Sequence, residues 1–278
     1  MPTIEHPLGL NSEQHRAFSE RVFSQTVGIV NLVRAPHRAP NGKTASVEEM
    51  GTGSACRWRD RNLVLTAKHV VEGAGPSQLR FFLRPSGKIE WVARSGPVEF
   101  AERELLEVDD VITCGWEDLA ALVSARTHAD SPSLHFCALP DKFGTVPPAP
   151  GVTLIIGYPG DLSFPVASSR QPTGSINYAC AATPAACWAS VVDETPRFFP
   201  SSYDSDRHFL LHFDPAEEGS MPHGYSGTGV WYQSATKREI WTADPVLCGV
   251  QVRWHRESNL MIAVQSEIVR QFLEENVG

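Results

Sequence analysis

The apolar residues of this chain come in short runs, and glycine, proline or polar turn residues close each one. Residues 26–33, 63–67, 152–157, 208–213, 246–254 and 260–264 are the clearest cases. Runs of this length, rich in Val, Ile and Leu and bounded by turn formers, read as strands. The 21 glycines and 21 prolines supply the turns. The pattern therefore predicts an all-β chain. Its 278 residues are enough for a large core, and β barrels of such length commonly form one domain. Two sets of about six strands, divided near residues 124–150, predict a duplicated β architecture.

Helices are expected only at the ends. Asn11 or Ser12 can cap a short helix that carries Ala17, Phe18, Arg21 and Val22 along one side and ends near Phe23. Ser266 is expected to cap a terminal helix with Ile268, Val269, Phe272 and Leu273 on its apolar face. In between, residues 35–50 read as a loop and residues 79–84 and 88–94 as a hairpin. Residues 181–207, with Pro184, Pro196 and Pro200, read as a long irregular surface loop.

Charge and cysteine usage exclude several classes of function. The formal net charge is −8, with both signs interspersed, which argues against nucleic acid or an anionic membrane as the main partner. The N-terminal residues lack the basic and apolar regions of a secretory signal, and no apolar run has the length of a membrane span. A cytoplasmic location is therefore expected. The six cysteines, Cys56, Cys114, Cys137, Cys180, Cys187 and Cys248, then read as reduced thiols. Cys180 and Cys187 are the one close pair for which a disulfide comes into question. None has Cys-x-x-Cys spacing, so no zinc site is expected, and nothing calls for a metal or organic cofactor.

The chemistry concentrates in His223-Gly224-Tyr225-Ser226-Gly227-Thr228-Gly229-Val230-Trp231. A serine held in a tight glycine turn ahead of a strand can present its hydroxyl to a carbonyl, with bare main-chain N–H groups beside it. The bland alternative is an ordinary Gly-rich hairpin turn. Upstream, Gly51-Thr52-Gly53-Ser54 opens a strand, and Leu63-Val64-Leu65-Thr66-Ala67 delivers Lys68-His69-Val70-Val71. Farther on, Glu117-Asp118-Leu119-Ala120-Ala121-Leu122 places an acid before a short apolar strand. Asp109 and Asp110 are competing acids, for which a solvated turn is the plain reading.

In this order, Thr-Ala-x-His-Val, Asp-Leu-Ala-Ala-Leu and Gly-x-Ser-Gly resemble the histidine, aspartate and nucleophile motifs of the trypsin-like serine peptidases, and the supporting segments Gly51-Thr52-Gly53-Ser54, Gly157-Tyr158-Pro159-Gly160 and the C-terminal helix resemble their intracellular and bacterial branch. The resemblance covers roughly residues 24–275. It implies two six-stranded antiparallel barrels, with residues 1–23 as a helical extension. Residues 24–130 would form a first barrel carrying His69 and Asp118. Residues 131–278 would form a second barrel carrying Ser226, plus the terminal helix. It further implies a serine endopeptidase whose substrate is a protein or peptide. Ser226 would be the nucleophile, His69 its base and Asp118 the orienting acid, with the N–H groups of Gly224 and Ser226 as the oxyanion hole.

Departures from the family pattern carry their own expectations. Tyr225 stands where secreted members have an aspartate that receives a new N-terminus, so activation by N-terminal cleavage is not expected. No cysteine lies just after His69, and Thr228-Gly229 replaces the usual Gly-Pro. By analogy Ser220 is the base of the specificity pocket, with Met221 and His223 near it and Val252 and Arg253 on the substrate-pairing strand beside Trp254. Glu217 or Glu218 would favour a basic substrate residue if either reached that pocket; solvated loop acids are the plainer reading. The alternative to an active peptidase is a binding module of the same fold, inactive or held inactive until a protein partner arrives.

Overall fold

A computed structural model describes residues 11–33, 46–82, 98–100, 105–124, 135–159, 163–170, 176–182, 184–233 and 241–278. Helix α1 (Ser12–Phe23) opens with Asn11, whose side chain accepts from the N–H groups of Glu13 and Gln14. The Gln14 side chain returns to the Asn11 N–H at 3.1 Å, closing a capping box. Phe18 and Val22 are fully buried. The Phe18 ring stacks 5.9 Å from Trp188.

The first barrel is built from β1 (Thr26–Val33), β2 (Ser46–Trp58), β3 (Arg61–Thr66), β4 (Leu79–Phe82), β6 (Leu105–Thr113) and β7 (Ala120–Ser124). Their order is β1-β4-β6-β7-β3-β2, and β2 returns to β1 to close the cylinder. One strand can do both because β2 is long. Its N-terminal part pairs with β1 from Val33↔Ser46 to Thr26↔Ser54, and its C-terminal part pairs with β3 from Ser54↔Leu65 to Trp58↔Arg61. The strand therefore starts within what the sequence suggests is a loop: residues 46–50 belong to β2. Main-chain pairing with β1 holds them without requiring an apolar pattern.

The second barrel is closed by β9 (Val152–Gly157), β12 (Ala185–Val192), β13 (His208–His212), β14 (Gly229–Gln233), β15 (Pro245–His255) and β16 (Leu260–Gln265), in the order β12-β13-β16-β15-β14-β9. The fold class expected from the sequence is the one observed: two closed six-stranded antiparallel barrels with few helices. Much of the expected 181–207 loop is β12. Cys187, Ala189 and Val191 face inward there, and small residues with Pro184 hide the strand in the sequence. The irregular part is confined to residues 193–207. Cys187 is a buried free thiol, so it makes no bridge to Cys180, whose side chain lies outside the described residues.

Strand β8 (Cys137–Leu139) lies beyond residue 130 yet pairs in parallel with β2, at the edge of the first barrel's sheet. β5 (Val98–Phe100), β10 (Ser163–Arg170) and β11 (Ile176–Ala182) form a separate three-stranded sheet. The second strand of the expected 79–94 hairpin lies outside the described residues. Helix α4 (Ser266–Asn276) buries Val269, Phe272 and Leu273, as expected. Ser266 does not cap it: Gln265 holds the cap position, and the Ser266 hydroxyl donates to the Gly144 carbonyl at 2.7 Å.

The barrel interiors are mainly apolar. Val27, Ile29, Leu63, Leu65, Phe81 and Leu122 are fully or almost fully buried in the first. Ile155, Leu211, Val230, Cys248, Met261 and Ala263 fill the second and expose no surface. Each large side chain so buried stabilises the fold by about 1.5–3 kcal/mol. Among the described residues no helix is long and apolar enough to cross a membrane.

Candidate active site

Strand β3 ends in Thr66, and helix α2 (Lys68–Val71) follows at once. Val70 and Val71 are buried, Val70 against Gly51, where an added Cβ would collide with it. A single helical turn with two residues anchored inward turns His69 outward, leaving its side chain 43% exposed. Across from it, the turn between β6 and β7 is pinned by the Cys114 N–H donating to the Leu119 carbonyl at 2.9 Å. The Lys68 ammonium donates to the Cys114 carbonyl at 3.2 Å.

That turn presents Asp118 with both carboxylate oxygens committed to His69. Oδ1 accepts from the His69 main-chain N–H at 3.0 Å, and Oδ2 lies 2.9 Å from Nδ1. Burial alone would raise the Asp118 carboxyl. The hydrogen bonds from the His69 ring and main chain, with the charges of His69 and Arg253, outweigh it and hold the group below its ordinary value. An ionised carboxylate only accepts, so Nδ1 carries the proton and Nε2 keeps its lone pair. Asp109 and Asp110 are exposed on β6, where Asp110 bonds to the neighbouring Val111 N–H.

Glu117 braces the same turn. One of its oxygens accepts from the Asp118 N–H at 3.0 Å. The other lies 2.7 Å from Arg207 Nη2 and 3.3 Å from His208 Nε2, so β13 of the second barrel steadies an acid of the first. Burial pushes its carboxyl up, but the contacts with His208, the Asp118 N–H and Arg207 bring it below the usual range.

Ser226 sits in a turn with Gly224 at φ +94° and Gly227 at φ +91°, a region glycine enters without strain. At Gly227 a Cβ would also strike Thr66 and the Thr52 carbonyl. The turn is laced in place: the Tyr225 N–H donates to Pro222, that of Thr228 to Tyr225 and that of Gly227 to Gln251. The Thr52 N–H donates to the Ser226 carbonyl at 3.0 Å, and the Thr52 hydroxyl to the Gly224 carbonyl at 2.6 Å. Among the described residues, the N–H groups of Gly224 and Ser226 have no partner. Two unpaired donors separated by one residue are suited to an oxyanion.

The sequence candidates His69, Asp118, Ser226, His223, Val252 and Arg253 line one cleft of about 380 Å³. Arg253 Nε stands 3.7 Å from Asp118 Oδ2. Ser220 and Met221 do not line that cleft. Ser220 is buried behind the turn, its hydroxyl 3.4 Å from the Tyr225 phenol, and Met221 is 43% exposed. Glu217 and Glu218 lie on α3 (Pro215–Glu218), capped by Asp214, away from the cleft. Tyr225 is buried against Phe213 and Gly157. Thr52, Glu117, Gln251 and Trp254 complete the site; of these only Trp254 figures among the sequence candidates. No group of metal-ligating side chains occurs among the described residues.

No protein-family profile and no curated protein matches the chain. Among solved structures it is similar to the scabies mite inactivated protease paralogue S-D1, with a TM-score of 0.53 and 13% identity over 93% of both chains. It is also similar to human heparin binding protein, with a TM-score of 0.51 and 13% identity over 91% of both chains. The fold is that of the trypsin-like serine proteases. In this trypsin-like fold the cleft lies where the barrels meet, and His69 and Asp118 come from one barrel while Ser226 comes from the other. At this identity the likeness shows the fold alone, and the fold hosts both active and inactivated chains.

Proposed function

We propose that the chain is a serine endopeptidase acting on protein or peptide substrates. The observation that carries this reading is the pair of unpaired N–H groups at Gly224 and Ser226, in a turn whose serine shares a cleft with an Asp118-bound histidine. In the proposed reaction Ser226 Oγ bonds to the scissile carbonyl carbon as His69 Nε2 takes its proton. Asp118 stabilises the imidazolium that forms. The Gly224 and Ser226 N–H groups hold the carbonyl oxygen as it becomes negative, each worth on the order of 3 kcal/mol in the transition state. The imidazolium then protonates the leaving amine as the C–N bond breaks. Water adds to the acyl-enzyme with His69 again as base, and the returning proton releases Ser226. No cofactor enters these steps.

Activation by a new N-terminus has no place in this reading. The buried Tyr225 ring occupies the interior position, and Thr52 orders the oxyanion turn from the other barrel. The second reading, an inactive or partner-gated module, is favoured by one finding: a similar solved structure is an inactivated protease paralogue. Labelling with a fluorophosphonate probe separates the two. The first reading expects labelling of the wild type and none of Ser226→Ala, with circular dichroism showing both folded. A folded wild type that resists the probe overturns it.

A further inference from the structure

A second cleft, of about 440 Å³, opens on the other side of Arg253. It shares His69, Asp118 and Arg253 with the Ser226 cleft, so the two are continuous. An extended peptide with its scissile carbonyl at Ser226 advances about 3.3 Å per residue. A peptide that runs from Ser226 toward Arg253 would place its next residues over this second cleft.

The charges there are unevenly committed. Two of the lining carboxylates are half-buried and taken: Glu117 by Arg207 at 2.7 Å, Asp118 by His69 at 2.9 Å. The cations are not matched in the same way. The Lys68 ammonium has only the neutral Cys114 carbonyl as its bonded partner among the described residues. The Arg253 side chain is 53% exposed and donates to the Ser202 hydroxyl at 3.0 Å. Its approach to Asp118, at 3.7 Å, is to an oxygen that His69 already holds. Among the described lining residues, Glu72 is the one acid on the exposed rim. A guanidinium and an ammonium line this cleft, neither with a carboxylate closer than 3.7 Å among the described residues, and a carboxylate supplied from outside would match them.

Resting on the peptidase reading, we infer that this cleft is a substrate subsite selecting an acidic side chain within a few residues of the scissile bond, with Arg253 as the specificity-determining residue. Arg253 thus has two roles. It flanks Asp118 and pairs with the substrate carboxylate.

The test is digestion of a randomised peptide library by wild type, followed by sequencing of the cleaved ends. The expected result is Asp and Glu enriched about tenfold over Ala at one position near the cut. Matched peptides with Glu, Ala or Lys at that position then give kcat/KM ratios within each variant, which cancels any general effect on Asp118. Arg253→Gln should bring the Glu-to-Ala ratio to within about twofold, and Arg253→Glu should favour Lys. Cleavage without acidic enrichment, or enrichment that survives Arg253→Glu, overturns the subsite and leaves the peptidase reading standing. No cleavage by a folded wild type that also resists fluorophosphonate overturns both.

Discussion

The hydroxyl of Thr52, on the first barrel, donates to the carbonyl of Gly224, on the second, at 2.6 Å. The same hydroxyl accepts from the Tyr158 N–H at 3.0 Å, and the Thr52 carbonyl accepts from Thr66 at 2.8 Å. One fully buried threonine therefore joins the end of the strand that leads to His69 with the turn that carries Ser226. The relative placement of base and nucleophile is thus tied to two side-chain hydroxyls, those of Thr52 and Thr66, bonded to main-chain carbonyls.

Thr52→Val keeps the volume and removes the hydroxyl that donates to the Gly224 carbonyl and accepts from the Tyr158 N–H. A buried polar group that loses its partner costs about 1–3 kcal/mol. The expected outcome is a lower urea midpoint with unchanged slope, and fluorophosphonate labelling slowed by at least about tenfold as the oxyanion turn loosens. Thr52→Ser, which keeps the hydroxyl, should restore most of both. Equal loss in Val and Ser variants would show that methyl packing matters and the hydrogen bond does not.

Asp118→Asn exchanges an acceptor for an amide and removes the charge that fixes the His69 tautomer. Labelling and peptide cleavage should fall by several orders of magnitude. Asp110→Asn, on an exposed residue whose side chain bonds to its neighbour's N–H, should stay within about twofold of wild type. If the two variants exchanged phenotypes, the wrong carboxylate would have been assigned to the histidine.

The elements that carry the histidine and the serine are legible in the sequence, for local reasons. A strand that ends in Thr-Ala, a one-turn helix carrying the histidine, and a serine between glycines are each set by adjacent residues, so the sequence displays them. Links between barrels are not displayed. Thr52 meets Gly224 172 positions away, and Ser54 accepts from the Gly229 N–H 175 positions away. Neither threonine nor serine in a strand announces such a partner. Strand β12 is hidden for another reason: Ala185, Ala186 and Ala189 fill its faces, and small residues give weak periodicity.

Acid stability should report the two half-buried carboxylates of the β6–β7 turn. Asp118 and Glu117 are both held below their ordinary values of 3.8 and 4.5. Each binds fewer protons in the folded than in the unfolded state through this range. Their stabilisation is thus complete above the ordinary values and is lost as pH falls through the depressed ones. Glu218 runs the other way: burial, with the charges of Glu217 and Asp214, raises it over the opposing contacts with Cys187 and His212. Its favourable contribution exists below 4.5 and disappears as pH rises through its raised value. Urea midpoints from pH 3 to 7 should therefore fall less steeply toward acid in Glu117→Gln than in wild type. Glu218→Gln should gain on wild type as pH rises. Parallel curves for all three proteins would contradict these assignments.

Two glycines with similar dihedrals separate strain from crowding. Gly227 has φ +91° and a Cβ there would strike Thr66, the Thr52 carbonyl and the Ala67 N–H. Gly73 has φ +79° with nothing within 4 Å of the same position. Gly73→Ala should cost only the left-handed penalty of about 1–2 kcal/mol and leave labelling of Ser226 unchanged. Gly227→Ala adds a collision with backbone that cannot move without parting the strand of His69 from the turn of Ser226. It should lower stability by well over that amount and abolish labelling even at temperatures where the variant remains folded by circular dichroism. Equal effects at both positions would mean that the junction between the barrels yields easily, and that Thr52 does not hold it.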